Sequence, residues 1–179
     1  MSPSVLTIGH STHPLDRFLA LLAQHEVEAL VDIRRFPGSR KHPHFHRNSL
    51  AAALPKSGVE YHWLEALGGR RHKQRGESPN RGLENQGFRN YADHMLTDEF
   101  REGVEKLLEV ARRKRTAILC AEGPFWQCHR RLVSDFLVAS GVMVQHIMPT
   151  GDVRPHKLTN GAVIEGGRVT YPGERSLFT

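Results

Sequence analysis

The chain has two thiols, Cys120 and Cys128, and both lie in the stretch TAILCAEGPFWQCHRR, residues 116–131. Cys120 closes an apolar run that reads as a buried strand, and Cys128 falls where a helix begins, beside His129, Arg130 and Arg131. The helix dipole and neighbouring cations favour the thiolate at such a place. Cys128 is therefore a candidate nucleophile. His129, His10 or His62 would be its base, and the backbone N–H groups of residues 123–127 a cradle for an oxyanion or phosphate. Arg34 and Arg130 could clamp an anionic group. Three other uses compete. Cysteine is often ordinary core. Cys120, Cys128, His129 and Glu122 are all zinc-ligand types, but seven residues between the cysteines is not a common zinc spacing. A reversible Cys120–Cys128 disulfide would make the segment a redox switch. In the run HPHFH, His42, His44 and His46 could collect a metal ion, though a basic loop points rather to phosphate contacts.

Elements that could place these groups follow from the periodicity. Apolar runs at residues 6–9, 29–33, 59–64, 116–120 and 143–148 predict five strands. Helical spacing predicts helices at 14–22, with Pro14 as first helical residue, then at 48–54, 87–95 and 99–114, and another after Cys128. Strands and helices alternate, so the expected fold is α/β. It is a single three-layer domain with a mostly parallel sheet of about five strands. Asn160-Gly161 and Gly166-Gly167 predict a small β-hairpin in the tail 150–179, appended to the sheet. Residues 70–86 lack any periodic pattern and read as a long loop. If the strands are parallel, their C-terminal ends bring His10, Ser11, Asp32, Arg34, His62, Cys120 and Glu122 to one rim, where doubly wound sheets bind ligands. Asp32 sits inside an apolar strand, and Arg34 points to the same side. The two form either a structural ion pair or the floor of a site, and the strand-end position favours the site.

The 179 residues are 39% hydrophobic and 25% charged, which excludes a membrane or disordered chain and matches one domain. The opening Met1-Ser2-Pro3-Ser4 lacks a basic region, and the apolar run behind it is too short for a signal or a span. A cytoplasmic location with reduced thiols is expected, and no membrane partner. The net charge is +6, and ten of the 25 Lys and Arg residues fall in two loops, 34–47 and 70–81. Such clusters suit a phosphate-bearing small molecule or a nucleic acid. No mononucleotide loop, dinucleotide fingerprint or zinc-deaminase signature occurs, and no cofactor is expected. Oligomeric state is not readable from these features.

Gly9-His10-Ser11, Val31-Asp32-Ile33-Arg34 with Pro37 and Ser39-Arg40, Leu67-Gly68-Gly69, and Cys120-Ala121-Glu122 with Cys128-His129-Arg130 occur in this order. Together they resemble the family called domain of unknown function 488, over residues 6–147. The resemblance implies a compact α/β domain and a soluble bacterial protein, and it supplies no reaction. The family's cysteines are regarded as candidate active-site residues. Its motif positions here are His10, Ser11, Asp32, Arg34, Arg40, Cys120, Glu122, Cys128, His129 and Arg130. Two functions are consistent with all of this. One is an enzyme acting on a phosphate-bearing substrate, with catalytic residues drawn from Cys128, His129, Asp32, Glu122, His10 and Cys120, and Ser11, Arg34, Arg40 and Arg130 binding the anion. The other is a non-catalytic DNA- or RNA-binding module that uses loops 34–47 and 70–81, its Cys-His-Arg segment being structural.

Overall fold

The computed structural model describes residues 2–174. Met1, the first residue of the N-terminal tetrapeptide, and 175–179, the end of the tail, lie outside the described residues. In chain order the elements begin with β1 (Ser4–Gly9), α1 (Leu15–Gln24), β2 (Ala29–Asp32), α2 (Arg47–Ala53) and β3 (Glu60–Trp63). There follow α3 (Gln86–His94), α4 (Asp98–Arg113), β4 (Thr116–Cys120), α5 (Arg130–Ala139) and β5 (Met143–Ile147). The last are β6 (Val153–Pro155), β7 (Val163–Glu165) and β8 (Arg168–Thr170).

Strands β1 to β6 form one sheet in the order β3-β2-β4-β1-β5-β6. All neighbouring pairs are parallel except β5 with β6. The apolar runs of the inner strands are continuous because both faces are covered. On one face Leu6, Ile8, Leu30, Ala117 and Leu119 pack with α1 and α2 through Phe18, Leu22 and Leu50. On the other, Val5, Val31, Ile118 and Val144 pack with α3, α4 and α5 through Tyr91, Phe100, Leu107 and Leu132. The 16-residue α4 carries clear boundary signals: Thr97 accepts a hydrogen bond from the Phe100 N–H at 3.3 Å, and Arg112 and Arg113 lie in its last turn.

Four details differ from the sequence expectation. Pro14 stands just before α1 as its cap residue rather than inside the first turn. A sixth strand, β6, adds an antiparallel edge. It was invisible because three exposed residues ending in proline have no apolar period, and an edge tolerates proline. The tail hairpin β7–β8 turns through Gly166 and Gly167, both at positive φ, as a two-residue turn requires. It forms its own two-stranded sheet instead of extending the main one. Finally, Cys128 does not lie in the first turn of α5. Pro124 opens a short 3-10 turn, Phe125–Gln127, and Cys128 itself is extended, so helical winding starts only at Arg130.

Candidate active site

Strands β1 and β4 are neighbours, yet the helices that follow them lie on opposite faces of the sheet: α1 on one, α5 on the other. The two connections diverge, and a crevice opens beyond the strand ends. A cavity of about 780 Å³ occupies this place. The backbones of its two walls are tied together: His10 N–H donates to Cys120 O at 3.0 Å and Ser11 N–H to Ala121 O at 2.9 Å. The tie demands glycine at the end of β1, since a Cβ on Gly9 would stand 1.7 Å from the Glu122 carbonyl oxygen. Gly9→Ala is accordingly expected to lower stability by about 3 kcal/mol, through forced separation of the two loops. Urea unfolding measures it, and a loss within experimental error would contradict this packing. Gly68 is constrained in the same way by the Arg35 backbone, where its Cβ would lie 2.6 Å from Cα.

The two thiols meet at the base of the cavity. Cys120 Sγ and Cys128 Sγ are 3.0 Å apart, and both line the space. Beneath them Arg130 is only 1% exposed. Its Nη2 donates to the carbonyls of Glu122, at 3.1 Å, and Gly123, at 2.8 Å, while Nε and Nη1 have no partner. No carboxylate pairs with this buried cation among the described residues. The sulfurs respond asymmetrically. Hydrogen bonding from Cys120, then the charge and backbone N–H of Arg130, outweigh desolvation and bring the Cys128 thiol down to about 7. Burial first, and then the bond to Cys128, push the Cys120 thiol well up. These opposite shifts favour the outer sulfur as the thiolate and the inner one as its S–H donor.

Asp32 is fully buried and saturated. It accepts Arg34 Nε at 2.9 Å and Nη2 at 2.6 Å, the Arg34 backbone N–H at 3.0 Å, and the Tyr61 hydroxyl at 2.6 Å. It does not line the cavity, whereas Arg34 does. The carboxylate thus holds the guanidinium at the rim. His10 stacks on Phe45 at 4.4 Å, and its Nδ1 lies 2.9 Å from the Ser11 carbonyl. Desolvation lowers its pKa to about 4. His129, 2.8 Å through Nε2 from the Ile33 carbonyl and 4.9 Å from the Tyr91 ring, is likewise brought to about 4 by burial. Both imidazoles are neutral at pH 7, and the hydrogen-bonded nitrogen of each is the N–H, which leaves the other nitrogen as an acceptor.

Of the residues singled out in the sequence, His10, Ser11, Arg34 and Arg40 line the cavity from the β1 and β2 side, and Cys120, Glu122, Cys128 and His129 from the β4 side. Asp32 and Arg130 stand behind them instead of facing the space. His62 is apart from it, paired with Glu60 at 3.1 Å on edge strand β3. The backbone between Cys120 and Cys128 turns its carbonyls, not an N–H cradle, toward the Arg130 guanidinium. Three contributors were not read from the sequence: Tyr61, which donates to Asp32, and Tyr91 and Phe88, which line the cavity. Tyr61 lies within the alternating VEYHWL strand, one residue before His62, and that neighbour of opposite orientation was the only signal for it. Among the described residues no cluster of three or more His, Cys, Asp and Glu side chains is placed to hold a metal ion. No described helix is long and apolar enough to cross a membrane.

Eight of the ten loop cations divide into two sets, while Lys73 and Arg75 are exposed and do not line the cavity. Arg34 is paired with Asp32, Arg35 donates to the Arg70 carbonyl, Arg47 lies over the Trp63 ring, Arg71 is tied to Gly68 and Glu65 carbonyls, and Arg81 pairs with Glu77. Arg40, Lys41 and Arg70 are exposed and line the cavity mouth.

Fold and site together define a doubly wound α/β protein whose sheet edge carries a paired-thiol pocket rimmed by cations. The family described as Domain of unknown function DUF488 matches residues 14–137, and the chain belongs to it. That span runs from the residue before α1 into α5 and includes every singled-out position except His10 and Ser11. Comparison with curated proteins and with solved structures yields no significant match.

Proposed function

We propose that the chain is an enzyme in which the Cys128 thiolate attacks a phosphate-bearing substrate bound in the sheet-edge cavity. The observation that carries this reading is the buried Arg130, a cation with two unpartnered donors and no carboxylate among the described residues, lying under a thiol that lines the cavity. A charge kept in that position is costly unless an anion compensates it, and the thiolate is that anion. Arg34, Arg40, Lys41 and Arg70 supply the opposite wall with positive charge suited to phosphate oxygens. Sγ of Cys128 bonds to the electrophilic centre as the leaving group departs with its electron pair. Water, losing its proton to the free ring nitrogen of His10, then displaces the sulfur as thiolate. Asp32 and Tyr61 act by positioning Arg34.

Alkylation by iodoacetamide tests the reading without a known substrate. The rate at Cys128 is expected to rise with pH through a midpoint near 7, because the thiol is deprotonated above it, and Cys120 is expected to stay unlabelled. Inorganic phosphate should slow the reaction by occupying the cationic wall. Cys128→Ser should remove the labelling and leave the melting temperature nearly unchanged. A midpoint at the ordinary thiol value, or equal labelling of both cysteines, would overturn the nucleophile.

The exposed Arg40, Lys41 and Arg70 give one reason to keep a second reading, a non-catalytic nucleic-acid-binding module. Affinity for single-stranded DNA that falls steeply with salt, joined to a Cys128 of ordinary reactivity, would favour it over the enzyme.

A further inference from the structure

The proposed nucleophile has a second thiol directly behind it. Cys120 Sγ lies 3.0 Å from Cys128 Sγ, and its own exposure is 1% against 7% for Cys128. The inner sulfur therefore meets incoming reagents after the outer one, and the order of reaction is built into the burial. Little motion separates the pair from a covalent bond, whose length is about 2.05 Å. The segment joining them holds Gly123 and the 3-10 turn Phe125–Gln127, and Cys128 itself is extended, so neither sulfur projects from the interior of a helix.

We propose that Cys120 and Cys128 form a catalytic dithiol, with Cys120 as the resolving residue, and that the cavity carries out thiol–disulfide exchange on disulfides of anionic thiols. The inference rests on the nucleophilic Cys128 of the preceding section and extends it to a second class of electrophile. In the first step the Cys128 thiolate attacks one sulfur of the substrate disulfide. A Cys128–substrate S–S bond forms, the substrate S–S bond breaks, and one substrate thiolate leaves. In the second step Cys120 sulfur attacks Cys128 sulfur and expels the other substrate half. The Cys120 proton passes to that departing thiolate. The substrate disulfide is reduced to two thiols, and the cysteine pair is oxidised to a disulfide. Excess monothiol reverses both steps and restores the dithiol. The distribution of charge suits these roles: the outer sulfur is ionised near neutral pH, and the inner one keeps its proton until the mixed disulfide has formed. The cationic rim of Arg34, Arg40 and Lys41 selects disulfides that carry carboxylate or phosphate groups.

Glutathione disulfide, an anionic disulfide, is the probe, and intact-mass measurement the readout. The reduced wild-type protein is expected to lose the mass of two hydrogens and accumulate no adduct. Cys120→Ser is expected to gain one glutathionyl group, held at Cys128. Cys128→Ser should remain unmodified over the same period. A stable glutathionyl adduct on the wild-type chain, or a Cys128→Ser variant modified as fast as wild type, would overturn the resolving role. If glutathione disulfide fails to react while iodoacetamide still labels Cys128 with a midpoint near 7, the exchange activity falls and the nucleophile stands. If both reagents fail, the nucleophile falls as well. Cystamine, a cationic disulfide, should react at least tenfold more slowly than glutathione disulfide, and equal rates would remove the charge selection.

Discussion

Asp32→Ala is expected to destabilise the fold by about 4 kcal/mol, the largest loss from any single change at this site. The carboxylate is fully buried, and its two oxygens accept from Arg34 three times and from Tyr61 once. Alanine would leave the guanidinium of Arg34, a residue only 7% exposed, without its counter-charge, and would orphan the Tyr61 hydroxyl. The cost lies chiefly in that stranded cation. The double variant Asp32→Ala/Arg34→Met should therefore recover more than half of the loss, although it makes one more substitution. Tyr61→Phe, which removes a single neutral donor, should cost only about 1 kcal/mol. Urea unfolding of the three variants, read as the shift in midpoint at constant slope, decides the matter. A loss below about 1 kcal/mol for Asp32→Ala would mean that the pair behaves like a solvated surface bridge.

Burial is also what separates the legible from the illegible parts of this sequence. The strand-helix alternation was readable because inner strands covered on both faces become unbroken apolar runs, as in Ala117, Ile118 and Leu119, and because α4 announces itself by period and cap. The gathering of His10, Arg34 and Cys120 at one edge followed from the parallel order alone. What periodicity could not convey is which way a polar residue faces. Asp32 and Arg34 share one side of the chain, yet one turns inward to hold the other, and only the tertiary partner Tyr61 from β3 distinguishes the two. Arg130 reads as an anion clamp from its neighbours, whereas the Glu122 and Gly123 carbonyls draw it beneath the thiols. The glycines were legible as turns but not as close approaches: nothing local to Gly9 reveals that the Glu122 carbonyl will occupy the place of its Cβ. Edge strand β6, short and exposed, carries no apolar signature at all.

Arg130 is where stability and reactivity can be pulled apart, and Arg130→Met should do so. Methionine fills the volume of the side chain without its charge, so the substitution removes a buried cation that has no carboxylate partner. The lost bonds to two backbone carbonyls offset the relief from desolvation, and unfolding stability should change by no more than about 1 kcal/mol. The thiol responds differently. Without the guanidinium, Cys128 keeps the S–H of Cys120 and the Arg130 backbone N–H but loses the positive charge that opposes desolvation, and its pKa rises from about 7 toward the ordinary thiol value. A rise of one unit or more lowers the thiolate fraction at pH 7, so alkylation of Cys128 there should slow at least about fivefold, while the limiting rate at high pH stays near that of wild type. Arg130→Lys retains a charge but not the planar guanidinium that reaches both carbonyls, and it should fall between the two. If Arg130→Met leaves the pH midpoint of alkylation unmoved, the buried cation does not hold the thiolate, and the anion that compensates it must be sought in a bound ligand.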